Sequence, residues 1–243
     1  MTAWNVRSLR LTVFLSSEAA PRVSELRWEE LAGAKPENVM NRGDQQYQEG
    51  PLGRGRLLLQ KQQGRVDLLH AGFPQPEQPE DPVATLGTLE AASEALRGMA
   101  IKVLEQLGSC VRLAFGAEMV TPAQTNVAAY RTLVEHIGSA TFKLEGGQEF
   151  LYQVNRPRDS KAVPRLLLNR LTRWHASSWQ PVTVELTGAA RVLSGQPRVG
   201  AVITTDVNTD GERTNPLPAE KLSELFDELR DLTIEIRDKG DIP

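Results

Sequence analysis

Apolar and polar residues alternate along residues 6–15: Leu9, Leu11, Val13 and Leu15 share one side, and Arg10, Thr12 and Phe14 share the other. A period of two predicts a strand with one buried face. Ser16-Ser17-Glu18 and Pro21 then lead into Val23, Leu26, Glu30 and Leu31, a short helix predicted to stop at Gly33, with Trp28 packed beside it. From Pro36 to Gly72 the glycines Gly43, Gly50, Gly53, Gly55 and Gly64 punctuate short runs such as Arg56–Gln60 and Arg65–His70. Those runs read as antiparallel strands joined by turns, the clearest turn being Gln62-Gln63-Gly64. Leu86, Leu89, Ser93, Leu96, Ala100, Val103 and Leu107 recur at steps of three and four, predicting a long helix ended by Gly108.

The second half repeats this grammar. Cys110–Phe115 reads as a strand, Pro122–Ile137 as a helix stopped by Gly138, and Glu149–Asn155 as another strand. Extended segments are predicted at 165–177, 182–192 and 198–207. A closing helix is predicted from Pro218 to Lys239, where Leu222, Leu225, Phe226, Leu229, Leu232 and Ile236 form one apolar stripe. The expected fold class is therefore α+β, with antiparallel sheets whose helices pack on one face. The repeated order suggests a tandem duplication of a strand-helix-strands-helix unit. The expected organisation is a first sheet unit at 1–72, a proline-rich acidic linker at 73–85, a helix at 86–107 completing the first unit, and a second unit at 108–243. Prolines at 74, 76, 79 and 82 forbid a continued helix or central strand in that linker.

Composition narrows the function classes. Among 243 residues there are 28 basic and 31 acidic side chains, a net charge of −3, so no bulk polyanion partner follows from the totals. The single cysteine, Cys110, has no disulfide partner within the chain and supports no zinc motif built on paired cysteines. No apolar run approaches a membrane span and the first residues lack a signal-peptide core, so the expected location is cytoplasmic, with no membrane partner.

One segment is locally basic. Between 156 and 175 the chain carries Arg156, Arg158, Lys161, Arg165, Arg170 and Arg173 against one acid, a local charge of +5 that leaves −8 for the rest. Guanidinium groups bind phosphate bidentately, and the neighbouring Trp174 could stack on a base, with His175 alongside. The bland reading is a solvated hairpin whose arginines pair with acids of the last helix, such as Glu224, Asp227, Glu228 and Asp231. Alternation also sets Arg165, Asn169, Arg173 and His175 on one side and Arg170 on the other.

Other chemistry is sparse. Asp206-Val207-Asn208-Thr209-Asp210-Gly211 matches the opening of a calcium loop, but the twelfth position is Leu217 where a bidentate glutamate belongs, so a turn is expected. His70, His136 and His175 are too far apart in sequence to draw a metal site, and Cys110 reads as a buried thiol. Gly50-Pro51-Leu52-Gly53-Arg54-Gly55 lacks phosphate-loop spacing, and no nucleophile elbow or kinase signature is present. No cofactor is expected, and an enzyme is the least favoured class, with His175 and nearby arginines its only constellation.

The run from Ile203 through Asp206 and Asn208 to Asp238, with the corner Asn155-Arg156-Pro157-Arg158, resembles bacterial proteins to which no activity attaches. The leading expectation is a non-enzymatic component of a bacterial macromolecular assembly that binds another protein through a sheet face, a strand edge or an amphipathic helix. The alternative is a nucleic-acid binder using the arginine-rich segment 156–173.

Overall fold

The alternating segment near the N-terminus becomes an interior strand of one ten-stranded antiparallel sheet. The computed structural model describes residues 3–73, 83–138, 144, 147–180, 182–185, 191–194 and 197–242, without the side chains of 182–185 and 191–194. Most of the predicted linker therefore lies outside the described residues. The strands are β1 (Asn5–Phe14), β2 (Asn38–Arg42), β3 (Gln45–Leu52), β4 (Gly55–Gln62), β5 (Arg65–Gly72), β6 (Arg112–Ala123), β7 (Leu151–Asn155), β8 (Arg158–Asp159), β9 (Leu167–Trp179), β10 (Val182–Glu185), β11 (Arg191–Ser194) and β12 (Arg198–Thr209). The α-helices are α1 (Trp28–Ala32), α2 (Leu89–Leu107), α3 (Asn126–Ile137) and α4 (Leu222–Lys239).

The sheet runs β2-β3-β4-β5-β1-β6-β12-β9-β7, with β8 added to β9, while β10 and β11 form their own ladder. Register puts like faces together. Leu11 stands opposite Leu68 on one side and Phe115 on the other, and Phe115 stands opposite Val207. This apolar face carries the helices, as the fold class requires: α2 lies over β1, α4 over β6 and β12, and α3 over β12 and β9. α2 buries Leu89, Leu96, Val103 and Leu107, and α4 buries Leu225, Phe226, Leu229 and Ile236. Burying one face of each element is what stabilises the two-layer arrangement. Arg97 clamps the two helices together, donating two hydrogen bonds of 2.8 Å to Asp227.

Several boundaries differ from the sequence reading for identifiable reasons. The first helix is split into a 3-10 turn (Ala20–Glu25) and α1, because Leu26 and Arg27 are extended; this lets Leu26 and Trp28 both turn inward. β6 continues well past Phe115, since the alternation of Leu113, Phe115, Ala117 and Met119 passes through Gly116, and α3 begins only after the cap Thr125. β9 begins at Leu167, because Arg165 adopts a left-handed φ of 61° that no strand can accommodate. Within the segment predicted at 182–192, the described residues belong to β10 and to the start of β11, and 186–190 lie outside the described residues.

Candidate functional site

No helix among the described residues packs on the other face of the sheet. Alternation explains why: between the buried positions of β6 stand Arg112, Ala114, Gly116 and Glu118, all only half-buried, and β1 offers Ser8, Arg10, Thr12 and Phe14. An antiparallel sheet tolerates water on one face when that face is polar. Ala114 and Gly116 are small, so the floor dips there into an open depression of about 380 Å³ bordered by Arg10, Arg65, Arg112, Glu118 and Asp206.

Across this face runs a belt of polar contacts that links six neighbouring strands. Asn155 on β7 donates to Asn169 on β9 at 3.0 Å, and Asn169 donates to Asn208 Oδ1 on β12 at 3.3 Å. Arg112 Nη2 on β6 donates to the same oxygen at 3.1 Å. On β1, Phe14 lies between its two neighbours, with the guanidinium carbons of Arg112 and of Arg65 on β5 each 5.2 Å from its ring centroid, within cation–π range. Arg65 closes the belt with hydrogen bonds of 2.7 and 3.0 Å to Asp67.

Asp67 anchors the arrangement. It is 3% exposed and also accepts from Arg10 Nε at 2.9 Å and Thr12 Oγ1 at 2.5 Å. Burial pushes its carboxyl up, but the hydrogen bonds from Arg65 and Thr12 and the charge of Arg10 outweigh it, so its pKa lies below the ordinary aspartate value. Arg7 and Glu118 form a second pair at 2.7 Å. Arg112 and Asp206 differ: neither makes an ion pair with the described residues, and Asn208 spans them, accepting from Arg112 and donating to Asp206 at 2.9 Å. Arg112 Nε is buried with no hydrogen-bond partner.

The residues singled out from sequence are scattered over both faces. Arg156 grips Asp241 with two hydrogen bonds of 2.9 Å, which raises its pKa, and Arg158 pairs with Glu235 at 2.8 Å. The partners come from α4 and the residues after it, as the solvated-hairpin reading expects, but they are other acids than those it named. Glu228 instead receives the backbone N–H groups of Lys161 and Ala162 and the hydroxyl of Ser160. Arg170 points under the helices, 2% exposed, with Nε and Nη1 unpartnered; burial, then the nearby charge of Arg158, lowers its pKa. Trp174 is 1% exposed on the same side, against Tyr152. Arg165 is exposed outside β9. Only Arg173, bonded to Gln153 at 3.0 Å, and His175 reach the open face. Burial lowers the His175 pKa, with Glu118 opposing and Arg173 reinforcing the shift.

Sequence reasoning missed Arg10, Arg65, Asp67, Arg112 and Asn169 as members of one constellation. Each sits at a polar position of an alternating strand, where it looks like an ordinary solvated residue, and only the strand order makes them neighbours. Asp206 and Asn208, which opened the calcium-loop match, are consecutive open-face positions of β12. Among the described residues no group of three or more His, Cys, Asp or Glu is placed to hold a metal ion. Among the described residues no helix is long and apolar enough to cross a membrane. No protein-family model matches the chain, and no curated protein matches it.

Proposed function

We propose that this chain is a non-catalytic, cytoplasmic component of a bacterial macromolecular assembly and that it works by binding another protein on the open face of its sheet. The observation that supports this reading is the one-sided layering: helices cover one face, while the other carries an ordered polar belt around a shallow depression. A surface of arginines, carboxylates and carboxamides already tied together by mutual hydrogen bonds loses little side-chain entropy when a partner lands on it.

The alternative is a nucleic acid held by segment 156–173. It is less well served by the geometry, because Arg156 and Arg158 are engaged by carboxylates and Trp174 is covered. The flat rings nearest the open face are engaged as well: two guanidiniums flank Phe14, and Trp179 has Arg7 over it and packs against Gly200. Single-strand binders rely on free aromatic faces for stacking.

Position-specific photo-cross-linking in the source cell tests the proposal. A cross-linker at Thr204, on the open face, should give an adduct that protease removes and nuclease does not, and one at Glu94, on the exposed side of α2, should give none. Adducts from Glu94 alone, or a nuclease-sensitive adduct at Thr204, would refute it.

A further inference from the structure

The depression on the open face is unevenly neutralised. Asp67 serves both Arg10 and Arg65, and Glu118 is taken by Arg7. That leaves one guanidinium, Arg112, and one carboxylate, Asp206, each without an opposite charge among the described residues, held to the two ends of the Asn208 carboxamide. Direct pairing would cancel both charges; the intervening carboxamide keeps them separate and oriented. Half-burial of both groups reduces the competition from water, so each interacts more strongly with an incoming charge than a fully solvated residue would.

We infer that this trough recognises a protein segment presenting two opposite charges on one side, a carboxylate that seats on Arg112 and an amine that seats on Asp206. The inference rests on the docking reading above and adds the chemistry of the partner. An extended segment places residues i and i+2 on one face about 7 Å apart, a spacing suited to two groups that bracket a single carboxamide. Asp206 is also what disfavours a polyphosphate: a chain of like negative charges satisfies Arg112 only by approaching an unneutralised carboxylate.

Capped pentapeptides and the full chain provide the test, read by amide chemical shifts. Acetyl-Ala-Glu-Ala-Lys-Ala-amide should shift the amides of β6 and β12 around Arg112 and Asp206 saturably, whereas the Gln/Gln counterpart should not. Arg112→Gln and Asp206→Asn, which test each charge conservatively, should each weaken binding roughly tenfold, the scale of losing one charge-assisted hydrogen bond. Arg112→Glu should abolish binding, and adding Asp206→Lys to it should restore affinity to within about threefold of wild type. Equal binding of the neutral peptide, unchanged affinity in both conservative variants, or Arg112-dependent shifts with a thymidine oligonucleotide would overturn the inference. If the peptides fail while Thr204 still cross-links a protein, this inference alone falls; if Thr204 gives no protein adduct, the docking reading falls with it.

Discussion

Asp67→Ala isolates the buried anchor of the open face. The substitution removes four hydrogen bonds made to a carboxylate that is 3% exposed, from Arg10, Thr12 and twice from Arg65. Hydrogen bonds to charged groups contribute about 1.5–3 kcal/mol each, but burying the carboxylate itself costs several kcal/mol. The Arg10 and Arg65 side chains are 48% and 30% exposed and can turn to water once released. The expected net loss is therefore about 2–3 kcal/mol, which at roughly 2–4 °C per kcal/mol for a chain of this size lowers Tm by about 5–10 °C. Arg10→Ala should cost no more than about 1 kcal/mol, because Arg65 and Thr12 still hold Asp67.

The same site gives a pH dependence with a definite sign. The folded Asp67 pKa is depressed, so its contribution is fully present above the ordinary aspartate pKa of about 3.9 and is lost as pH falls through the lower folded value. Differential scanning calorimetry of wild type and Asp67→Ala from pH 7 to pH 2.5 should show a constant gap above about pH 5 that closes below about pH 4. A gap under 2 °C at pH 7, or one that persists undiminished into acid, would refute the anchoring role.

Two further outcomes probe the helix layer and the strand entry. Phe226 is fully buried and meets Phe115 edge-on at 5.6 Å, so Phe226→Ala should cost about 3–5 kcal/mol in urea unfolding, and a loss below 1 kcal/mol would contradict the packing. Burial pushes the Cys110 thiol up to about 12, so a disulfide reagent at pH 8 should modify native protein only at its unfolding rate; modification within seconds would contradict that burial.

The elements of this fold were legible in sequence wherever one periodicity ran uninterrupted and met a chemical stop. α2 ends at Gly108 and α3 at Gly138, both with a left-handed φ, as the glycine signals indicated. β1 and the four-strand run through Gly72 follow the alternation and the turn at Gly64, whose φ is 72°. Misread boundaries fell where local pattern yielded to packing. The strand read as ending at Phe115 runs on through Gly116 inside β6, and Leu26 and Arg27, read as part of one helix, are extended so that Leu26 and Trp28 both reach the core. The candidate site was hidden for a different reason. Its members come from β5, β1, β6, β12, β9 and β7, and their adjacency depends on strand order, which no local window encodes. The arginine-rich segment was conspicuous because its charges are consecutive in sequence, yet strand alternation and carboxylates from beyond β12 disperse them in space.

The placement of β1 between β5 and β6, and of β12 between β6 and β9, carries a consequence for how the molecule assembles. As the chain emerges from the ribosome, β1 must wait for β6, and the interval between β6 and β9 stays vacant until the last strand is made. Folding must therefore finish in the middle of the sheet, by long-range closure that is entropically slow. Until that closure, two unsatisfied strand edges face each other across the gap, and a chain stalled at this point would be prone to join its neighbours.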